Sequence, residues 1–289
     1  MPEQLEILQY FWKALVVGLL VTLCASLLGV TLVLRRFSMI GDGLSHIGFG
    51  ALAVAAAFGW APLPVAIPAV IAAAFLLLRG GGEKLRGDAA VALLSAGCLA
   101  LGVLVLTLSG GSNVDLMSYM FGSLLYAKSA DVLLCLALSV VVLTGFGLFY
   151  HRIFSVTFDE PFARATGVRT SAYQLLTAIL TAVTIVLGMR MMGTLLISSL
   201  VIFPALIAMR VCKSFFGVTL TAAASAVACY LIGFALTCFS PRGLPTGATI
   251  VTVNLCAFGL FACIGWARSR RKAHCDPPHS GAVEGGFKT

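Results

Sequence analysis

The sequence predicts an all-α protein that crosses a membrane several times. Of its 289 residues, 60% are hydrophobic and 10% are charged, and the mean hydropathy is +1.04. A soluble domain contains about 45–50% apolar and about 25% charged residues, so this composition excludes an ordinary soluble fold. The apolar residues also form long runs without charge, and a membrane-spanning helix requires about 20 such residues in a row.

Charge-free runs predict nine spans, with eight as the alternative count. The first run ends at Arg35 and Arg36. The next, from Phe37 to Leu78, is long enough for two helices separated by a turn at residues 59–64. The nine predicted spans are 14–34, two within 37–78, 89–109, 132–150, 171–189, 192–209, 215–239 and 247–266.

Basic residues are distributed unevenly between the predicted loops. If the N-terminus lies outside, fifteen of the 19 Lys and Arg residues fall on the inner side. Inner loops are enriched in Lys and Arg, so the sequence predicts an outside N-terminus and an inside C-terminus. These residues punctuate apolar runs instead of clustering on a solvated domain, so the net charge of +8 does not indicate nucleic-acid binding.

The predicted spans form one transmembrane domain, residues 1–267, followed by a basic tail, residues 268–289. Gly, Pro and Ser are frequent in the tail, which predicts disorder. The tail contains His274, Cys275 and His279, which could bind a metal, although such sets are common in flexible tails. The other eight cysteines have no CxxC spacing and are interpreted as small buried hydrophobic residues.

Two ionisable residues lie inside the second predicted span. Asp42 and His46 are four residues apart and therefore share one face of a helix. Ionisable groups inside a membrane are costly and are functional candidates by default. Carboxylate with imidazole suits Zn²⁺, Mn²⁺ or Fe²⁺, and Ser38 and Ser45 are close enough to support the ligands by hydrogen bonds. A structural Asp–His hydrogen bond and a proton relay are the alternatives.

Two ligands are fewer than the four that tetrahedral Zn²⁺ takes. A two-fold dimer with this helix at its axis would bring two copies of each ligand together. The chain contains neither a GxxxxGK[ST] nor an HExxH motif, so P-loop ATP hydrolysis and zincin-type proteolysis are not expected. Transport remains, with any ATP chemistry supplied by a partner.

Three further segments carry structural signals. Asp159 as N-cap, Glu160 and Pro161 in a first turn and Gly167 as a stop predict a short exposed inner helix, with a connector lying on lipid as the alternative. Residues 110–131 are too apolar for a solvated loop, which predicts that they lie in the interface or dip back into the protein. Pro204 has no N–H to donate to the carbonyl of Leu200, and Gly193 loosens the same helix, so a kink or hinge is expected.

Five motifs in order resemble those of the ABC-type zinc, manganese and iron permeases, the ABC-3 metal permease family. The likeness extends over residues 10–266. Gly43 and Phe49 stand where many members carry Ala and Pro, a variant similar to the zinc permeases. The motifs are Arg35–Gly50, Phe121–Leu124, Asp159–Val168, Gly188–Ala205 and Leu244–Val251.

The resemblance implies a homodimeric or closely paired permease core, two cytoplasmic ATPase subunits and an extracytoplasmic metal-binding protein. It favours metal ligation by Asp42 and His46 over structural pairing. It also implies that the inner helix docks in a groove on the ATPase through coupling residues Asp159, Glu160, Ala163, Ala165 and Gly167.

The function implied is that of the permease subunit of an ATP-driven importer of divalent transition metals in the cell membrane. Zinc is the first candidate, with manganese or iron next. The chain is expected to have no enzymatic activity and no permanently bound cofactor. A proton-coupled secondary carrier that uses Asp42 and His46 as a relay is the alternative function.

Overall fold

The computed structural model describes residues 2–35, 39–79, 87–110, 122, 129–240 and 244–275. Within these ranges the chain forms α-helices and no strand, so the all-α prediction is confirmed. In chain order the helices are α1 Pro2–Leu34, α2 Ile40–Ala57, α3 Pro62–Arg79, α4 Gly87–Leu108, α5 Ser129–Leu148, α6 Tyr150–Phe158, α7 Glu160–Ala165, α8 Thr170–Met192, α9 Thr194–Val211, α10 Phe215–Phe239 and α11 Thr246–Cys275.

Seven helices of the described part are long and apolar enough to cross a membrane. Counted as one span, α5 and α6 add an eighth, although the chain bends by 67° between them. The remaining predicted span corresponds to α3, whose apolar part, Pro62–Leu77, is shorter. The structure thus supports seven or eight spans by length and composition. The count of nine also includes α3 as a span.

Glycines let α2 pack closely against α4. A Cβ built on Gly43 would lie 2.5 Å from Val91 Cγ1, and one on Gly50 would lie 2.8 Å from Cys98 O. Residue numbers rise in the same order along both helices at these contacts, so α2 and α4 run parallel. Helix α3, which connects their ends, therefore runs in the opposite direction.

The opposite side of α2 faces the centre of the bundle. A Cβ on Gly41 would lie 3.2 Å from Val201 of α9, and one on Gly48 would lie 2.8 Å from Met189 of α8. The largest cluster of buried side chains lies here, among α1, α2, α3, α8 and α9. The outer helices α4 and α11 bury only 17% of their span residues, so their apolar outer faces are available to lipid or to a second subunit.

The chain breaks between α8 and α9 at Gly193, which has φ 88° and ψ 160°. Glycine is almost the only residue that adopts this conformation. Gly193 therefore separates two helices. The sequence analysis had placed it inside the helix that contains Pro204, and that prediction is wrong. A Cβ on Gly122 would overlap the backbone of Met192, so this residue of the 110–131 connection packs on the break.

Two sequence predictions fall at the edges of the described residues. Helix α11 continues to Cys275, ten residues beyond its candidate span, which ends at Gly265. The predicted tail boundary at residue 268 is thus a point within a helix, and His274 and Cys275 belong to its last turn. Ser38 and His279 lie outside the residues that the structure describes.

Candidate metal site and coupling segment

Helix α2 holds Asp42 and His46 on one face, as their spacing predicted. Asp42 Oδ1 lies 3.6 Å from His46 Nε2, and the side chains are 44% and 15% exposed respectively. This separation is longer than a hydrogen bond, so the two side chains are not tied together by one. The structural Asp–His hydrogen bond, one of the alternatives, is therefore not formed in this geometry.

The same separation suits a shared metal ion. Two ligands of tetrahedral Zn²⁺, each about 2.1 Å from the metal, lie about 3.4 Å apart. The observed 3.6 Å between Asp42 Oδ1 and His46 Nε2 is close to that value. Both atoms could thus bind one ion with only a small movement.

The other ring nitrogen of His46 is exceptional. His46 Nδ1 is buried and has no hydrogen-bond partner. A buried polar atom without a partner costs free energy, and such atoms are rare in folded proteins. No described group therefore fixes the imidazole through a hydrogen bond at Nδ1.

Ser45 does not support the ligands as the sequence suggested. Ser45 Oγ donates a hydrogen bond to the backbone carbonyl of Asp42 at 2.7 Å, so its hydroxyl is used within α2 and not on a ligand side chain. The residues that the structure describes contain no group of three or more His, Cys, Asp or Glu side chains that could hold a metal. Further ligands would have to come from outside the described part of this chain.

The second candidate region is the segment around α7, between α6 and α8. Asp159 Oδ1 accepts a hydrogen bond from Phe162 N at 2.9 Å, which caps the helix, and Pro161 lies in the first turn. Gly167 ends the segment with φ +82°. The short helix predicted from Asp159, Glu160 and Gly167 is confirmed. Its shape depends on bonds between near neighbours in sequence.

The predicted coupling residues do not all lie on one surface. Ala163 is completely buried, whereas Ala165 is exposed. An open groove of about 520 Å³ is lined by Glu160, Pro161, Arg164 and Ala165. Phe162, which the sequence analysis did not select, is 62% exposed. A large aromatic residue on a short polar helix was the signal that could have revealed it.

Sequence reasoning also missed Arg35. Its Nη2 lies 3.4 Å from Glu160 Oε2, and its side chain is only 12% exposed. Burial lowers the pKa of Arg35 from its ordinary value, and the charge of Glu160 opposes that shift. The two residues are 125 positions apart, so no local pattern could have paired them.

Comparison with known families places nearly the whole chain in one of them. Residues 7–264 match the model of the ABC 3 transport family. The chain belongs to this family. It is a multi-pass membrane protein, the permease of an ABC importer for divalent metals, and it is not itself the ATPase. Membership implies that it works within an ABC transporter complex, and it does not support the alternative of a proton-coupled carrier.

Individual relatives of known or probable function are also metal transport membrane proteins. A probable metal transport system membrane protein of Thermotoga maritima is 30% identical over 85% of this permease and 86% of the relative. The high-affinity zinc uptake system membrane protein ZnuB of Haemophilus influenzae is 29% identical over 71% of this permease and 79% of the relative. The solved structure of PsaBC from Streptococcus pneumoniae in complex with Fab shares the fold, with a TM-score of 0.76 and 23% identity over 87% of this chain and 90% of that one.

Proposed function

We propose that this permease imports zinc, with manganese or iron as the next candidates, and that Asp42 and His46 bind the ion on its way. The observation that carries the proposal is the 3.6 Å separation of Asp42 Oδ1 and His46 Nε2, which suits two ligands of one ion. Similarity to the zinc uptake protein ZnuB supports zinc as the first candidate. The ion is cargo, and no permanently bound cofactor is proposed.

A second copy of the permease would complete the site. Asp42 is 44% exposed although α2 is otherwise mostly buried, so its carboxylate opens toward the outside of the single chain. A two-fold partner would present the same carboxylate and imidazole there, giving four ligands. Such a site could also release its ion when the two α2 helices separate, as transport requires.

In this proposal α7 contacts the ATPase and transmits the movement that ATP hydrolysis causes there. Two cytoplasmic ATPase subunits would each bind one α7. Asp159 and Gly167 would fix the two ends of the helix, and the buried Ala163 would pack it against the rest of the permease. The residues available for contact with the ATPase would be Glu160, Phe162 and Ala165. An extracytoplasmic metal-binding protein would deliver the ion from the other side. The exposed Phe162 and the groove beside it support this role, because a docking site needs an accessible apolar anchor.

The hinge would lie at Gly193, between α8 and α9, and at Pro204 within α9. Gly193 joins the helices in a conformation that favours glycine, and Pro204 cannot donate a hydrogen bond to Leu200. Gly193 joins α8 to α9 and Pro204 lies within α9, and both helices contact α2. A change of angle there would alter the surroundings of the metal face.

We further propose an outside N-terminus and an inside C-terminus in the cell membrane, with residues 1–267 as one transmembrane domain and residues 268–289 as an inner extension. The parallel course of α2 and α4 supports a crossing by α3 between them. The contact of Arg35 with Glu160 supports placing the end of α1 and the α7 segment on the same side. The excess of basic residues supports the inner side for both.

Uptake measurements test the ligand proposal. The purified transporter in proteoliposomes, supplied with ATP, should take up radioactive zinc. Asp42→Asn and His46→Ala should each reduce uptake by about 100-fold, since loss of one ligand removes a large part of the metal affinity. Ser45→Ala is the matched control, because the lost hydroxyl bonds only to the backbone of its own helix.

Assembly of the complex must be measured alongside uptake. The proposal requires that both ligand variants still insert and associate with the ATPase. If both variants transport normally, the residues are not ligands. If they fail to assemble while Ser45→Ala assembles normally, the pair has a structural role instead.

A further inference from the structure

Arg35 has a place in the fold that the metal site and the α7 segment do not explain. It follows directly on α1, and its backbone N–H donates to Thr31 O at 3.2 Å, so it continues the last helical turn. Its side chain is 12% exposed, although guanidinium groups are mostly exposed in proteins. A buried guanidinium stays charged and therefore requires an anion nearby.

Glu160 supplies that anion and divides its carboxylate between two arginines. Glu160 Oε2 lies 3.4 Å from Arg35 Nη2, and Oε1 lies 2.9 Å from Arg164 Nη2. Arg164 is 71% exposed and lies one turn away on the same short helix. Exposed pairs of this kind contribute little to stability. The pair with Arg35 differs because it is more buried and joins α7 to a distant part of the chain.

That distant part is the end of α1, which precedes the helix that carries Asp42 and His46. Arg35 comes seven residues before Asp42, and α2 begins between them at Ile40. Val201 of α9 lies against both helices, since a Cβ on Gly29 of α1 would overlap Val201 O and one on Gly41 of α2 would lie 3.2 Å from Val201 Cγ1. A displacement of the end of α1 would therefore reach the first turn of α2, where Asp42 lies, through Val201.

We propose that Arg35 is a positioning residue that transmits movement of α7 to α2 through its ion pair with Glu160. This inference rests on the proposed function of α7 as the ATPase contact. When the ATPase displaces α7, the carboxylate of Glu160 pulls on the guanidinium, and the end of α1 follows. Arg35 does not touch the ion. It connects the region where energy enters with the helix that binds the cargo.

The test uses the complete transporter in proteoliposomes and measures ATPase association, ATP hydrolysis and zinc uptake. Arg35→Gln should leave the ATPase bound and hydrolysing ATP, while zinc uptake per ATP falls by about tenfold, within the usual range of coupling between sites. Arg164→Gln is the matched control, because it removes the exposed partner of the same carboxylate. Its uptake per ATP should change by less than about twofold.

A charge exchange separates this role from a merely structural one. The double variant Arg35→Glu with Glu160→Arg restores an ion pair of opposite direction and should recover much of the lost coupling, because contacting residues are not additive. Full coupling in Arg35→Gln, or independent losses without recovery in the exchange, would overturn the proposal. The exchange variant keeps both charges and therefore keeps the test valid even if Arg35→Gln fails to assemble.

The underlying function can fail separately. If α7 is not the ATPase contact, removing the exposed ring with Phe162→Ala will leave association and coupling intact. If α7 is the contact and Arg35 is not the link, Phe162→Ala will impair association while the Arg35 variants couple normally.

Discussion

The metal face of α2 and the α7 segment are built in opposite ways. Asp159 and Gly167 complete α7 with bonds and backbone angles that belong to the segment itself. Asp42 and His46 are not bonded to each other, and one imidazole nitrogen is left without a partner. A docking element benefits from a fixed shape before it meets its partner. A transport site must instead be incomplete until the ion and the remaining ligands arrive.

The two regions also depend on glycine for different reasons. In α2, Gly43 and Gly50 allow neighbouring helices to approach, and an added Cβ would meet them at 2.5 and 2.8 Å. At Gly167, an added Cβ would meet nothing within 4 Å, but φ is +82°. The metal helix is thus constrained by tertiary packing, and the coupling segment is constrained by its own backbone. Substitutions can separate these causes.

The largest expected effect is at Gly50. Gly50→Val would push a branched side chain against the backbone carbonyl of Cys98, which cannot move aside as a side-chain end could. Overpacking of this kind costs about 3 kcal/mol, so the melting temperature in detergent should fall strongly and zinc uptake should be lost. Gly97→Ala is the control on the facing helix, where an added Cβ meets nothing within 4 Å. A wild-type melting temperature for Gly50→Val would show that α2 is not held by this contact.

A smaller effect is expected at Gly167. Gly167→Val should cost about 1–2 kcal/mol through backbone strain, because a branched residue resists a positive φ. The strain is local, so zinc binding should remain while association with the ATPase weakens. Gly167→Asn should behave nearly as the wild type, since asparagine tolerates this conformation. If the valine variant weakens zinc binding and leaves the ATPase bound, the two regions have been assigned the wrong roles.

The smallest effect should follow collapse of the proton gradient. With ATP maintained and external pH fixed, an ionophore should change zinc uptake by less than about twofold, because energy enters at α7 and not through proton transfer at Asp42 and His46. Uptake and ATP content are measured in the same vesicles. Loss of uptake while ATP stays high would mean that the proton gradient drives transport through Asp42 and His46. The two regions would then no longer have separate roles.

The sequence by itself determined several features whose cause is local. Apolar run length gave the membrane class and most of the spans, and the spacing of Asp42 and His46 gave their common face. The capping residues Asp159 and Gly167 gave the helix between them. Each of these depends on residues within a few turns of one another, where helix geometry alone fixes the outcome.

Tertiary structure decided the features that depend on distant partners. The pairing of Arg35 with Glu160, the parallel course of α2 and α4 and the packing of Gly122 on Met192 each join residues far apart in sequence. It also placed Gly193 between two helices. Close approach between helices depends on which faces meet, and the periodicity of a single apolar helix carries little of that information when nearly every face is apolar.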